Sequence, residues 1–208
     1  MSGPLRIRGL GTRDYETTWQ AMRDFTETRD EDTPDELWLL EHPPVYTLGL
    51  NGDMRHLVQA TEIPVVKTDR GGQITYHGPG QLVAYLLADL KRNQLGVRSL
   101  VSLLENAAIG LLLQYGIKSQ ARREAPGVYV DGKKIASVGL RVRKGRGYHG
   151  LSLNVDMDLA PFAAINPCGY AGLEVTSLAA LGIGARCADV MAPLAALILD
   201  GLKQRASG

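Results

Sequence analysis

At 208 residues, with 45% hydrophobic and 22% charged side chains, the chain is sized and composed for one globular domain. A net charge of +1 supplies no field to gather nucleic acid or an anionic lipid surface. No apolar run approaches the roughly 20 residues of a membrane span, and Arg6 and Arg8 interrupt the apolar core a secretory signal would need, so the sequence predicts a cytoplasmic protein.

Residues 5–10 alternate weakly and read as a first strand. From Asp14 to about Thr28, Tyr15, Trp19, Met22 and Phe25 recur at helical spacing and predict an amphipathic helix. Residues 29–35 are charged, carry Pro34 and read as a loop. Residues 37–41 read as a buried strand stopped by His42-Pro43-Pro44, and extended structure resumes over Val45–Leu48. A loop over residues 50–57 and a strand over 63–67 lead into the glycine-rich stretch 70–81. Residues 81–87 leave it as a strongly apolar strand. The clearest helix covers residues 97–115, with Leu100, Val101, Leu104, Ala107, Ala108, Leu111 and Leu112 on one face and Gly116 placed to cap it.

A short strand over 118–121 is followed by three strands with tight turns. Gly127–Val130 meets residues 134–143 across Asp131-Gly132, a dipeptide that favours hairpin turns, and a second turn over 144–147 leads to a strand over 148–154. Residues 156–172 have no periodicity and read as a long loop. Residues 175–181 read as a short helix, and the last helix runs from near Asp189 to about Lys203, with Pro193 acceptable only in its first turn. Residues 206–208 read as a frayed end. Strands mixed with a few long helices, without regular βαβ alternation, predict an α/β (α+β) fold: a mixed, largely antiparallel sheet flanked by helices, in one domain over residues 1–208.

Three stretches carry chemistry. Arg70-Gly71-Gly72-Gln73-Ile74-Thr75-Tyr76-His77 joins glycines, which let backbone approach a ligand, to side chains that offer hydrogen bonds or charge. Ser137-Val138-Gly139 and Gly150-Leu151-Ser152 place small residues on adjacent predicted strands, where they leave a groove. Lys133 and Lys134 open the middle strand, and strand alternation turns one of them towards the opposite face. The two cysteines form no zinc pattern with the four scattered histidines, so each is either buried filler or a reactive thiol. Cys187, at the entrance to a helix, reads as filler, whereas Cys168, between Pro167 and Gly169 in a loop, is positioned rather than packed. An ammonium such as that of Lys134 next to this thiol would favour the thiolate. Arg141, Arg143, Lys144 and Arg146 read as a local basic patch for an acidic partner or as a solvated turn.

Together, residues 70–81, Lys134-Ile135-Ala136-Ser137, Gly150-Leu151-Ser152-Leu153-Asn154 and Asn166-Pro167-Cys168-Gly169 resemble, in the same order, the motifs of the lipoyl(octanoyl) transferases, over roughly residues 14–198. The resemblance implies the catalytic-domain fold shared with biotin and lipoate protein ligases. It implies transfer of an octanoyl group from acyl carrier protein to a lysine of lipoyl domains, those of 2-oxoacid dehydrogenase complexes and the glycine cleavage H protein, with no cofactor or metal. In that scheme Cys168 forms an acyl thioester, Lys134 lowers the thiol pKa and moves protons, and the three small-residue stretches bind substrate. The nearest alternative is an ATP-dependent lipoate or biotin ligase on the same scaffold, which needs no cysteine. A non-catalytic protein that holds lipoyl groups is a third reading, and it needs no activated thiol.

Overall fold

The computed structural model describes residues 5–206, with the side chains of residues 168, 205 and 206 outside the described set. Of the expected frayed end at residues 206–208, the backbone of Ala206 closes the last helix, and residues 207–208 lie outside the described residues.

Ten strands form two sheets. The larger has seven strands in the order β1-β2-β6-β10-β9-β8-β7. These are β1 (Arg6–Thr12), β2 (Glu36–Glu41), β6 (Gln81–Asp89), β7 (Gln120–Ala121), β8 (Gly127–Val130), β9 (Lys133–Arg143) and β10 (Arg146–Asn154). Only the β1–β2 pair is parallel. The smaller sheet has the order β4-β3-β5, from β3 (Val45–Leu48), β4 (Val65–Lys67) and β5 (Ile74–His77). This is the expected mixed, largely antiparallel arrangement flanked by helices.

β6 lies inside the large sheet, between β2 and β10, and is buried on both faces. Leu82, Ala84 and Leu86 pack with α2 (Val97–Gln114) and α3 (Cys187–Ala206). On the opposite face Val83, Tyr85 and Leu87 pack with Trp38, Tyr148 and Met22 of α1 (Tyr15–Thr28). A strand covered on both sides has no polar alternation, which is why residues 81–87 read as one apolar run. α2 is long and apolar enough to cross a membrane by length and composition, but its apolar row lies in the core against α3, β9 and β10.

Both middle hairpins use two-residue turns with left-handed backbone at both positions: Asp131 and Gly132 at φ 47° and 86°, Lys144 and Gly145 at 51° and 74°. This geometry matches the twist of the flanking strands. The second turn is therefore tighter than the sequence suggests, and β10 begins at Arg146.

Other expectations need correction. Residues 74–77, read as loop, form β5, because Ile74, Thr75 and Tyr76 suit a strand and the glycines flank it without interrupting it. Residues 175–181 do not form the expected helix. Lys134 N donates to Glu174 O and Thr176 N to Lys134 O, so the β9 edge captures this backbone and only Ala179–Leu181 forms a 3-10 turn. α3 starts at Cys187, two residues before the expected Asp189, because the Asp189 carboxylate accepts the Arg186 N–H at 2.8 Å and caps the end from inside the helix. Pro193 consequently sits in the second turn. Its missing N–H affects the carbonyl of Asp189, an exposed residue where water can supply the bond.

Candidate active site

On the α1 face of the large sheet, a narrow cavity that opens to solvent lies between the two sheets. Its floor comes from β9 and β10, where Gly139 pairs with Gly150, Val138 with Leu151 and Ser137 with Ser152. Val83 and Tyr85 of β6 extend the floor, and Tyr15 of α1 also lines the space. The roof is the stretch Arg70-Gly71-Gly72-Gln73-Ile74-Thr75, with His77 beyond it. Of the expected substrate-binding residues, Tyr76 does not line the cavity, and Ile74, Val138 and Leu151, which do, turn their side chains into the apolar clusters behind it. The Tyr76 ring packs on Tyr46 and Phe162 in one of these clusters, as alternation along β5 dictates for a neighbour of Thr75 and His77.

Backbone contact holds the roof to the floor. Gly71 N donates to Leu140 O at 2.9 Å, and a Cβ on Gly139 would meet Gly71 O at 3.2 Å and Arg70 Cδ at 3.3 Å. The Arg70 guanidinium is buried and donates to the carbonyls of Thr47, Gly71 and Gln73 and to the Thr47 hydroxyl, clasping the roof to β3.

A polar network runs behind this clasp. Thr47 Oγ1 lies 3.3 Å from His77 Nε2, His77 Nδ1 lies 2.7 Å from Gln81 Oε1, and Gln81 Nε2 donates to Asn154 Oδ1 at 2.9 Å. Burial, then the neighbouring His42 charge, push the pKa of His77 down to about 3, so it is neutral at physiological pH. His42, between Arg13 O and the Tyr85 hydroxyl, is likewise held down to about 4 by burial.

Sequence reasoning missed Tyr15, Val83 and Tyr85 and gave His149 no role, yet all four line the cavity. His149 has φ 64°, a left-handed conformation that puts its ring on the same side as that of Tyr148, and the two rings stack at 5.0 Å. Both reach Asp69: Tyr148 donates its hydroxyl to Oδ2, and His149 Nε2 lies 3.0 Å from Oδ1. Trp19 Nε1 adds a third bond at 2.8 Å. Burial works to raise the Asp69 carboxyl, but these hydrogen bonds outweigh it and hold the group ionised. The only local signal for this hub was an aspartate directly before Arg70.

The adjacent lysines diverge. Lys133 points outward and pairs with Glu174 at 3.0 Å, whereas Lys134 is 2% exposed and donates from Nζ to Pro126 O at 3.0 Å, beside the Tyr129 ring. The side chain of Cys168 lies outside the described residues; its backbone belongs to the 3-10 turn Pro167–Gly169. This turn packs at the roof, where a Cβ on Gly169 would meet Gln73 Cγ at 3.0 Å. The same segment then bridges to Lys134 at Val175. Cys187 is buried as expected for filler, and burial, with Glu41 nearby, pushes its thiol pKa far up. In the expected basic patch, Arg143 pairs with Glu27 at 2.7 Å and Arg146 approaches Asp89 at 4.0 Å, so part of its charge is neutralised.

Such a cavity suits a slender group flanked by hydrogen-bonding backbone. Residues 14–198 match the lipoyl protein ligase A/B catalytic domain, and the chain belongs to that family. It is 58% identical over 204 residues to a protein of Alkalilimnicola ehrlichii named octanoyltransferase, covering 98% of this chain and 95% of the relative. It is 63% identical over 186 residues to an octanoyltransferase of Laribacter hongkongensis, covering 89% and 90%. Among solved structures it is similar to LipL1 of P. falciparum in complex with lipoate, with a TM-score of 0.74 and 12% identity, over 97% of this chain and 63% of that one. At that identity the likeness concerns the fold.

Proposed function

We propose that the chain is an octanoyltransferase of protein lipoylation, acting as one catalytic domain and passing the acyl group through a thioester on Cys168. The observation that carries the activity is the near-full-length identity, about 60%, to proteins named octanoyltransferase. For the route, the support is the position of the Pro167–Gly169 turn between the cavity roof and the strand bearing buried Lys134.

A donor thioester places its acyl chain in the cavity, over the backbone of Gly139 and Gly150 and beside Val83, with its carbonyl at the mouth near the turn. The Cys168 thiolate attacks that carbonyl, a tetrahedral oxyanion forms, and the carrier thiol leaves with a proton from Lys134. The ε-amine of the acceptor lysine then attacks the enzyme thioester, loses its proton to Lys134, and leaves as an amide while the Cys168 thiolate is restored. Each oxyanion needs preorganised donors. The Gly71 N–H already serves Leu140 O, so the donors are other backbone N–H groups of the roof or near Gly139.

In this reading the donor is octanoyl-acyl carrier protein, and the acceptors are lipoyl domains of 2-oxoacid dehydrogenase complexes and the glycine cleavage H protein, in the cytoplasm. A thioester is already activated, so no nucleotide is needed. Transfer from octanoyl-carrier to a purified lipoyl domain is expected to proceed at full rate with EDTA present and ATP omitted. Strict dependence on ATP and magnesium would instead favour the ligase reading.

A further inference from the structure

The buried amine of Lys134 needs something to hold it, and the structure supplies a candidate in another element. Glu105 is the charged member of the buried row of α2. Its Oε1 accepts the Gly127 N–H at 2.8 Å. The same peptide unit carries, at its other end, the Pro126 carbonyl that receives Lys134 Nζ at 3.0 Å. A third bond, from the Tyr129 hydroxyl to Ala125 O at 2.7 Å, pins the same segment. Gly127 has φ 139°, and a Cβ there would meet Ala136 O at 2.3 Å and Lys134 Cε at 3.0 Å, so the lysine lies directly across this turn.

Resting on the transfer reading above, we infer that Glu105 is a positioning residue: by fixing the Gly127 peptide from α2, it orients the Pro126 carbonyl and so aims the Lys134 amine. Glu105 touches neither substrate nor the reacting atoms in this scheme. Burial raises the Glu105 carboxyl pKa, while the Gly127 N–H and the nearby Lys134 charge act in the opposite sense. A carboxylate in the buried face of an otherwise apolar helix is unfavourable unless it is hydrogen-bonded. Packing alone would be served better by leucine.

The test compares Glu105→Leu with Glu105→Gln, which keeps an oxygen for the Gly127 N–H. Octanoyl-carrier is the probe, and single-turnover formation of the Cys168 thioester is followed by mass spectrometry. Glu105→Leu is expected to slow acylation about a hundredfold with KM little changed, and Glu105→Gln to restore it to within about threefold of the parent. Iodoacetamide labelling of buried Cys187 in native buffer reports whether each variant is folded. Should Glu105→Leu not fold, Glu105→Asp takes its place, because its shorter stem withdraws the acceptor from Gly127 and predicts a comparable loss. Parent-like acylation in Glu105→Leu, or in Glu105→Asp where it stands in, or equal loss in Leu and Gln, overturns the positioning role. If the unsubstituted protein forms no thioester, or Lys134→Ala acylates normally, the transfer reading or the role of Lys134 fails instead.

Discussion

His42 and His77 tie the protein's stability to pH. Both are buried as neutral rings, with pKa values near 4 and 3 against an ordinary 6.5. Below pH 6.5 the unfolded chain takes up protons that the folded chain refuses, so their contribution is present above that pH and is lost on acidification. The loss continues through pH 4 for His42 and pH 3 for His77. At pH 5.5, above the range of ordinary carboxylates, each histidine should already lower stability by about 1 kcal/mol. Urea midpoints at pH 7 and 5.5 measure this, and a flat profile across that interval would contradict the buried neutral rings. Asp69 supports a second expectation. Replacing it by Ala leaves the Tyr148 hydroxyl, His149 Nε2 and Trp19 Nε1 without their acceptor. The change should destabilise the fold by about 2–4 kcal/mol in urea unfolding. Neither cluster could be read from the sequence. His42, His77, Tyr85, Asp69 and His149 are far apart in the chain, and the left-handed backbone at His149 breaks the alternation that would have sent its ring to the other face.

Among the elements, β9 and β10 were legible in advance. Their turn dipeptides and small residues set both the pairing and the groove. α2 was equally plain, because a core helix repeats its apolar row over five turns and closes on Gly116. The failures share one cause. β5 is a strand, and Val175 is held in a single bridge to Lys134, because distant segments capture their backbone, and such partners lie outside any local window. The groove gives a sharp test. Gly139→Val would press Cβ and its methyls against Gly71 O and Arg70 Cδ, and overpacking of this kind costs about 1–3 kcal/mol. Expressed in the acyl cavity, it should lower kcat/KM for octanoyl-carrier by about tenfold or more, with folding retained. Unchanged kinetics would remove this groove from the site.

The molecule joins two sheets around one cavity, with Arg70 clasping the small sheet and residues 167–176 crossing from the roof to Lys134. The three roof and floor stretches stood out in the sequence because glycine and small residues cluster there. Their convergence on one cavity depends on the pairing of β9, β10 and β5. Near-neutral overall charge leaves partner recognition to local surfaces, and ion pairs with Glu27 and Asp89 weaken the claim of the β9–β10 turn to be one. The decisive measurement is intact-protein mass spectrometry after mixing with octanoyl-carrier alone, followed by a peptide map. A single octanoyl adduct on the Cys168 peptide, lost when a lipoyl domain is added and absent in Cys168→Ser, is the expected result. No adduct, an adduct elsewhere, or full transfer activity in Cys168→Ser would contradict the covalent route.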